Sequence, residues 1–271
     1  MSSLVFVFAV LCLSGVWGMK LDWWNNVDSK CGVEASTHLV HHNPWLVYLE
    51  YWRKDLVDIR CAATLIDKRH LITAAHCIKK PRFKRLVARL GEYDLLSDKD
   101  CVQGVCTDPL VKIDVANVYV HPEYDGREHD IAIVRLAEDA PYTDFIRPVC
   151  LPKGELKTDT TFFAAGWGEI PMKGIYAHDK KIIPLPLWNK KDCQASYKHI
   201  VLPESVICAG GQEGIDTCRG DSGGPLTRVQ ETVELFGVTS GGNARCGTKN
   251  YPGIYTKVVD YLDWIEAVIK S

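Results

Sequence analysis

Eight short runs of β-branched, aliphatic and aromatic residues, set apart by Gly, Pro, Asp and Asn, restrict this chain to an all-β barrel or sandwich. They are WLVYLEY (45–51), CAATLI (61–66), HLITA (70–74), LVARLG (86–91), IAIVRL (131–136), FFAAGWG (162–168), ELFGVTS (234–240) and GIYTKV (253–258). Only VVDYLDWIEAVIK (258–270) has helical periodicity, with Val258, Tyr261, Ile265 and Val268 on one side. The pattern predicts two β units closed by a C-terminal helix. No repeat and no Ser/Gly- or Pro-rich linker divides them.

The first twenty residues, MSSLVFVFAVLCLSGVWGMK, carry an apolar run that ends in small residues. The run is shorter than the roughly 20 residues a membrane span needs and suits a secretory leader cleaved after Gly18. Eleven cysteines are present, and removing Cys12 with the leader leaves an even set. In a secreted protein that set reads as disulfides. Spacing argues against zinc at CVQGVC (Cys101, Cys106), which has no second pair or nearby His pair at ligand spacing. Charge is nearly balanced, 32 Lys+Arg against 34 Asp+Glu, which argues against a nucleic-acid binder, and no further apolar stretch would span a membrane. The one basic cluster, KKPRFKR (79–85), reads as a solvated loop.

Three separated stretches carry chemistry. LITAAHC places His76 at the end of a predicted strand, HDIAIVRL places Asp130 at the start of one, and DTCRGDSGGPL places Ser222 in a Gly-rich turn. Each alone has an ordinary structural reading. Together they supply a nucleophile, a base to take its proton, and a carboxylate to orient that base. Backbone N–H groups of Gly220 and Ser222 can face a developing oxyanion, each such donor being worth about 3–4 kcal/mol in the transition state.

With TAAHC, DIAIVRL, AGWG, CRGDSGGP and YPGIYTKV in this order, residues 44–271 resemble a chymotrypsin-family (trypsin-like) serine protease. The resemblance implies two six-stranded antiparallel β-barrels with a C-terminal α-helix and a cleft between the barrels. It implies His76 as general base, Asp130 as its orienter, Ser222 as nucleophile, and Gly220 with Ser222 as the oxyanion hole. Asp125 and His129 lie nearby, but only Asp130 directly precedes the apolar strand. Asp216, six residues before the nucleophile, would floor the primary specificity pocket, with Gly242 and Gly253 as pocket-wall glycines. Cleavage after Arg or Lys of protein substrates is therefore expected, with protein protease inhibitors as further partners.

By the same resemblance the disulfides are Cys61–Cys77, Cys193–Cys208, Cys218–Cys246 and a tether Cys31–Cys150, with Cys101–Cys106 as the remaining pair. That extra pair, the RPVCLP and CRGDSGGP wording, and Phe162 and Arg228 in place of a barrel-two bridge are similar to arthropod clip-domain proteases, which act in haemolymph cascades. The expected organisation is a signal peptide (1–18), an N-terminal tether (19–33) and a peptidase domain (34–271), without a clip domain. No cofactor is required. The acids Glu92, Asp94, Asp98 and Asp100 read as a solvated loop rather than a calcium site.

Two positions depart from the family pattern. Gly241 follows Ser240 where an aromatic is usual, which predicts a wider cleft beyond the primary pocket. The larger departure concerns activation. In the family, a cut frees an apolar N-terminus that pairs with the aspartate before the catalytic serine, here Asp221, the zymogen switch. Counting back from Pro44 by the family's usual distance lands on Gly32, with no basic residue immediately before it. Three readings follow: an unusual cut, as after Lys30; a zymogen-locked or catalytically silent binding protein of the same fold; or a chain lacking a short segment between Thr37 and Asn43.

Overall fold

A computed structural model of the chain describes residues 31–271 apart from 55, 81, 154, 155 and 157. The expected leader and the tether up to residue 30 lie outside the described residues. Strands β1 (Leu46–Arg53), β2 (Leu56–Leu65), β3 (His70–Thr73) and β4 (Arg85–Leu90) are followed by a small hairpin, β5 (Cys101–Val102) and β6 (Val105–Cys106). β7 (Val111–Val120) and β8 (Ala132–Leu136) then complete a closed barrel in the order β1-β2-β3-β8-β7-β4. A second closed barrel runs β10-β11-β14-β13-β12-β9, from β9 (Thr161–Gly166), β10 (Lys181–Trp188), β11 (Val206–Gly210), β12 (Pro225–Val229), β13 (Val233–Gly241) and β14 (Pro252–Lys257). Every pairing between these strands is antiparallel. The all-β, two-barrel expectation describes this fold. Among the described residues three short α-helices accompany it: α1 (Ala75–Lys79), α2 (Lys190–Ser196) and α3 (Leu262–Ile269). Among the described residues no helix is long and apolar enough to cross a membrane.

Strand alternation explains how the barrels meet. In β1, Val47, Leu49 and Tyr51 point into the first barrel's core. Leu46 and Tyr48, on the opposite face, pack with Ala62 and with Ala165 and Trp167 of the second barrel. A strand with both faces covered reads as a continuous apolar run rather than an alternating one, which is what WLVYLEY is. The end of the chain crosses back over this seam. A 3-10 turn (Val258–Tyr261) leads into α3, and Val258, Tyr261 and Ile265 are buried in the first barrel's core with Val268 packed against it. The face expected from the 3.6-residue period is the one that docks.

Five disulfides join Cys31–Cys150, Cys61–Cys77, Cys101–Cys106, Cys193–Cys208 and Cys218–Cys246, the pairing the resemblance implied. Beside the first, the Gly32 N–H donates to the Pro148 carbonyl (2.8 Å) and the Val233 N–H to the Gly32 carbonyl (2.9 Å). At the two positions where the resemblance implied no barrel-two bridge, Phe162 and Arg228 both adjoin Phe236. The Phe162 and Phe236 rings are 5.9 Å apart, and the Arg228 guanidinium lies 4.2 Å over the Phe236 ring while bonding Glu234 Oε2 at 2.7 Å.

The acidic loop differs from its expected solvated state. Glu92 and Asp100 are buried. Glu92 Oε2 accepts from Arg89 Nε at 2.5 Å, and Asp100 Oδ2 accepts the Tyr93 and Asp94 N–H groups. These carboxylates organise the loop from inside by taking an Arg and two backbone donors. Burial pushes the Glu92 carboxyl up to about 7, against the lowering effect of Arg89.

Phe236→Ala should expose the consequence of replacing a bridge by packing. Truncating this buried ring costs about 3–5 kcal/mol and also strips Arg228 of its aromatic platform. Denaturant unfolding followed by tryptophan fluorescence measures the loss.

Candidate active site

Each of the three chemical stretches lies at the end of a barrel strand. β3 runs into α1, and α1 is pinned to β2 through Cys77–Cys61, which fixes His76. Asp130 stands two residues before β8, and Ser222 lies in the turn between β11 and β12. Asp130 Oδ2 accepts from His76 Nδ1 at 2.7 Å, and Oδ1 accepts the His76 backbone N–H at 2.8 Å. These two contacts set the ring's orientation and favour the tautomer with its proton on Nδ1, which leaves Nε2, 3.7 Å from the disulfide-bonded Cys77 Sγ, as the acceptor nitrogen. Ser240 Oγ donates to Asp130 Oδ2 at 2.6 Å, and Thr256 Oγ1 donates to the Asp130 carbonyl at 2.9 Å. Burial acts to raise the Asp130 carboxyl, but the hydrogen bonds from His76 and Ser240 outweigh it and hold the group below the usual carboxylate range.

Ser240 was visible in the sequence only as the neighbour of Gly241. Its hydroxyl is a third donor to the orienting carboxylate, and a lone serine at a strand end gives no sequence signal for that task. The two neighbours set aside on sequence grounds are engaged elsewhere. Asp125 caps a turn by accepting the Arg127 and Glu128 N–H groups, both at 2.8 Å. The His129 ring stacks on His121 at 4.9 Å, with its Nδ1 3.2 Å from the Tyr261 hydroxyl.

His76 and Ser222 line one open cleft of about 470 Å³ together with Cys61, Cys77, Tyr176 and Gly220. Among the described residues no hydrogen bond yet joins Ser222 Oγ to His76 Nε2, a contact that commonly tightens only when substrate is bound. The serine turn is held from both barrels. The Ala62 N–H donates to the Ser222 carbonyl at 2.8 Å, and the Gly223 N–H donates to the Thr239 carbonyl at 2.8 Å. Among the described residues the N–H groups of Gly220 and Ser222 meet no protein acceptor. Gly220 has φ 99°, and a Cβ there would lie 3.0 Å from the Gly168 Cα, so only glycine permits this turn.

Beside the serine opens a slot of about 180 Å³, lined by Asp216, Cys218, Thr239, Gly242 and Cys246 among others. The Cys218–Cys246 disulfide closes its wall. Asp216 is buried; its Oδ2 accepts the Gly247 N–H at 3.0 Å, while its Oδ1 is buried with no hydrogen-bond partner. Burial pushes this carboxyl up to about 6, with the Gly247 and Thr217 N–H groups offsetting only part of the rise. Gly242 lines the slot, whereas Gly253 packs behind it: a Cβ on Gly242 would stand 3.7 Å from the Gly253 Cα. A Cβ on Gly241 would meet nothing within 4 Å.

Asp221 lies beneath the serine turn with no solvent exposure. Oδ1 accepts the Gly168 N–H at 2.7 Å; Oδ2 accepts the Cys218 N–H at 2.9 Å and Lys181 Nζ at 3.1 Å. The lysine is a partner that the sequence reading did not identify. Its only signal was a Lys-Lys pair (180–181) ahead of the apolar run IIPLPL.

A family model described as Trypsin matches residues 31–265. Phenoloxidase-activating enzyme 1 of Spodoptera litura is 37% identical over 264 residues, covering 90% of this chain and 70% of that protein. CLIP domain-containing serine protease B9 of Anopheles gambiae is 35% identical over 270 residues, covering 91% of this chain and 67% of that protein. Among solved structures, mouse neuropsin, a serine protease, superposes with a TM-score of 0.72 at 29% identity, covering 86% of this chain and 97% of that one. The chain belongs to the trypsin family. It is a serine endopeptidase, and its relatives are arthropod clip-domain and phenoloxidase-activating proteases.

The close fit around Asp221 yields a direct test of this packing. A Cβ on Gly168 would stand 2.5 Å from the Asp221 carboxylate. Gly168→Ala should destabilise the fold by about 1–3 kcal/mol, as overpacking does, read as a lowered melting temperature.

Proposed function

We propose that this endopeptidase cleaves peptide bonds after Arg or Lys in protein substrates, using His76, Asp130 and Ser222. The observation that carries the reading is Asp216, a buried carboxylate with one unpartnered oxygen at the base of a narrow slot beside Ser222. Leaving such a group without a cation is costly, and a substrate guanidinium or ammonium entering the slot supplies one. A long basic side chain held there places that residue's own carbonyl carbon against Ser222 Oγ.

The chemistry then follows from the geometry. Ser222 Oγ attacks the carbonyl carbon while His76 Nε2 takes its proton, and the imidazolium is stabilised by the ionised Asp130. The carbonyl oxygen becomes an oxyanion between the N–H groups of Gly220 and Ser222. His76 returns the proton to the leaving amine, an acyl-enzyme forms on Ser222, and water entering by the same path hydrolyses it. Because Asp130 also accepts from Ser240, it stays ionised across the working pH range and does not compete for the proton.

The five disulfides support a secreted, extracellular protein. The relative named for activating phenoloxidase supports limited cleavage of another protein in an extracellular cascade. Protein protease inhibitors that present an Arg or Lys to the slot are the matching regulators.

An arginyl chromogenic peptide and an arginyl phosphonate test the reading. Labelling should occur at Ser222 and vanish in Ser222→Ala. Asp216→Ser should abolish turnover of Arg and Lys peptides, and retained tryptic activity in that variant would refute the pocket assignment. A pH test isolates Asp216 from the catalytic histidine by measuring benzamidine binding instead of turnover. Protonation removes the charge that holds the amidinium. The dissociation constant should therefore be flat above about pH 7 and rise as pH falls through about 6, approaching tenfold per unit. In Asp216→Asn, binding should be weak at every pH.

A further inference from the structure

The resemblance to trypsin-like enzymes assigns Asp221 a partner that arrives only after proteolysis, the ammonium of a freed chain terminus. In this structure a primary ammonium already stands there. Lys181 is the first residue of β10 and lies opposite Gly166 of β9. Glycines at 166 and 168 leave the space that the Asp221 carboxylate fills, since a Cβ on Gly166 would stand 2.2 Å from Asp221 Oδ1. Lys181 Nζ reaches Oδ2 at 3.1 Å, and the Glu169 carbonyl lies 3.4 Å from the same nitrogen. The lysine side chain is 18% exposed and the aspartate 0%, so the contact is largely shielded from water.

The segment that would be expected to supply a terminus is occupied elsewhere. Cys31 is bonded to Cys150, and Gly32 is held between Pro148 and Val233. Glu34 closes the next stretch on itself by accepting from His42 Nδ1 at 2.5 Å and from the Asn43 N–H at 2.8 Å. Meanwhile the turn that the terminus would order is already formed: the Asp221 N–H donates to the Cys218 carbonyl at 3.0 Å, and Gly220 and Ser222 present their N–H groups free.

We propose that Lys181 is the positioning residue of this protease, its ammonium replacing a freed chain terminus at Asp221 so that the oxyanion hole and specificity slot are ordered without cleavage in residues 31–44. The inference rests on the catalytic reading above and adds to it how the site is switched on. Lys181 acts through Asp221 and touches no substrate. Without it the buried carboxylate keeps only its amide donors. The stable response is for Asp221 to turn toward water, carrying the N–H groups of Gly220 and Ser222 out of line.

The test uses the full chain, shown to be uncut by reducing gel and N-terminal sequencing, with an arginyl phosphonate and an arginyl anilide as probes. Uncut wild type should be labelled at Ser222 and turn over the anilide. Lys181→Met should lower kcat/KM about 100-fold, with kcat falling and KM rising together. Lys181→Arg should stay within tenfold of wild type, a rescue that loss of general packing would not produce. Melting curves establish that the variants are folded, and the wild-type arm decides the matter should Lys181→Met fail to fold. Wild type that is silent before cleavage, or Lys181→Met that reacts at the wild-type rate, overturns the inference. Labelling that appears only after limited cleavage within 31–44 overturns it while leaving the catalytic reading intact; silence both before and after cleavage removes that reading too.

Discussion

Burying a carboxylate costs several kcal/mol unless charge and hydrogen bonds replace the lost water, and Asp221 has no exposure at all. The surrounding structure is arranged to meet that cost from three directions. The AGWG stretch gives an N–H and two missing side chains, the pocket loop gives the Cys218 N–H, and β10 gives Lys181. Because these come from separate segments, one carboxylate fixes their relative positions. Ser222 follows Asp221 directly and Asp216 precedes it by a short disulfide-braced loop, so the proposed nucleophile and the acid of the slot inherit their placement from it.

Asp130 plays the corresponding part across the seam between barrels. Its carboxylate accepts from His76, which belongs to the first barrel, and from Ser240 at the end of β13 in the second. Thr256 of β14 donates to its carbonyl. A relative shift of the barrels would break these bonds. The small apolar interface of Leu46, Tyr48, Ala62, Ala165 and Trp167 and the docking of α3 onto the first barrel oppose such a shift. The geometry proposed for catalysis thus rests on packing that contains none of the three proposed catalytic residues.

What the sequence disclosed depended on how each element is buried. Strands covered on both faces, such as β1, β8 and β13, are strong apolar runs and were legible. β7 was not, because much of it faces solvent and its hydrophobic signal is weak. β10 carries Pro184 and Pro186, which ordinarily argue against a paired strand, and it nonetheless pairs with β9 through Lys181–Pro186. β11 is short and β12 opens on Pro225. The triad residues stood out because their chemistry demands particular residue types within distinctive local wording. Ser240 and Lys181 were missed because each acts through a partner distant in sequence, Ser240 across 110 positions and Lys181 across 40. Glu92 and Asp100 misled for the converse reason: acids grouped in sequence suggested solvent, and the fold turned two of them inward.

The stretch from Cys31 to Pro44 bears directly on how the site is ordered. A cut after Lys30 would make Cys31 the new terminus, yet Cys31 is fixed to Cys150 and Gly32 is bonded on both sides. To reach Asp221 that terminus would have to break those bonds and then displace Lys181 from a shielded contact. A lock on the enzyme would require the serine turn to be collapsed, but the Gly220 and Ser222 N–H groups are free of protein acceptors and Asp221 points inward. On the role proposed for Lys181, the ordering of the site does not wait on that segment, because the charge that Asp221 requires is carried by the second barrel's own strand. Control of such an enzyme would then fall to inhibitors at the cleft more than to the freeing of a terminus.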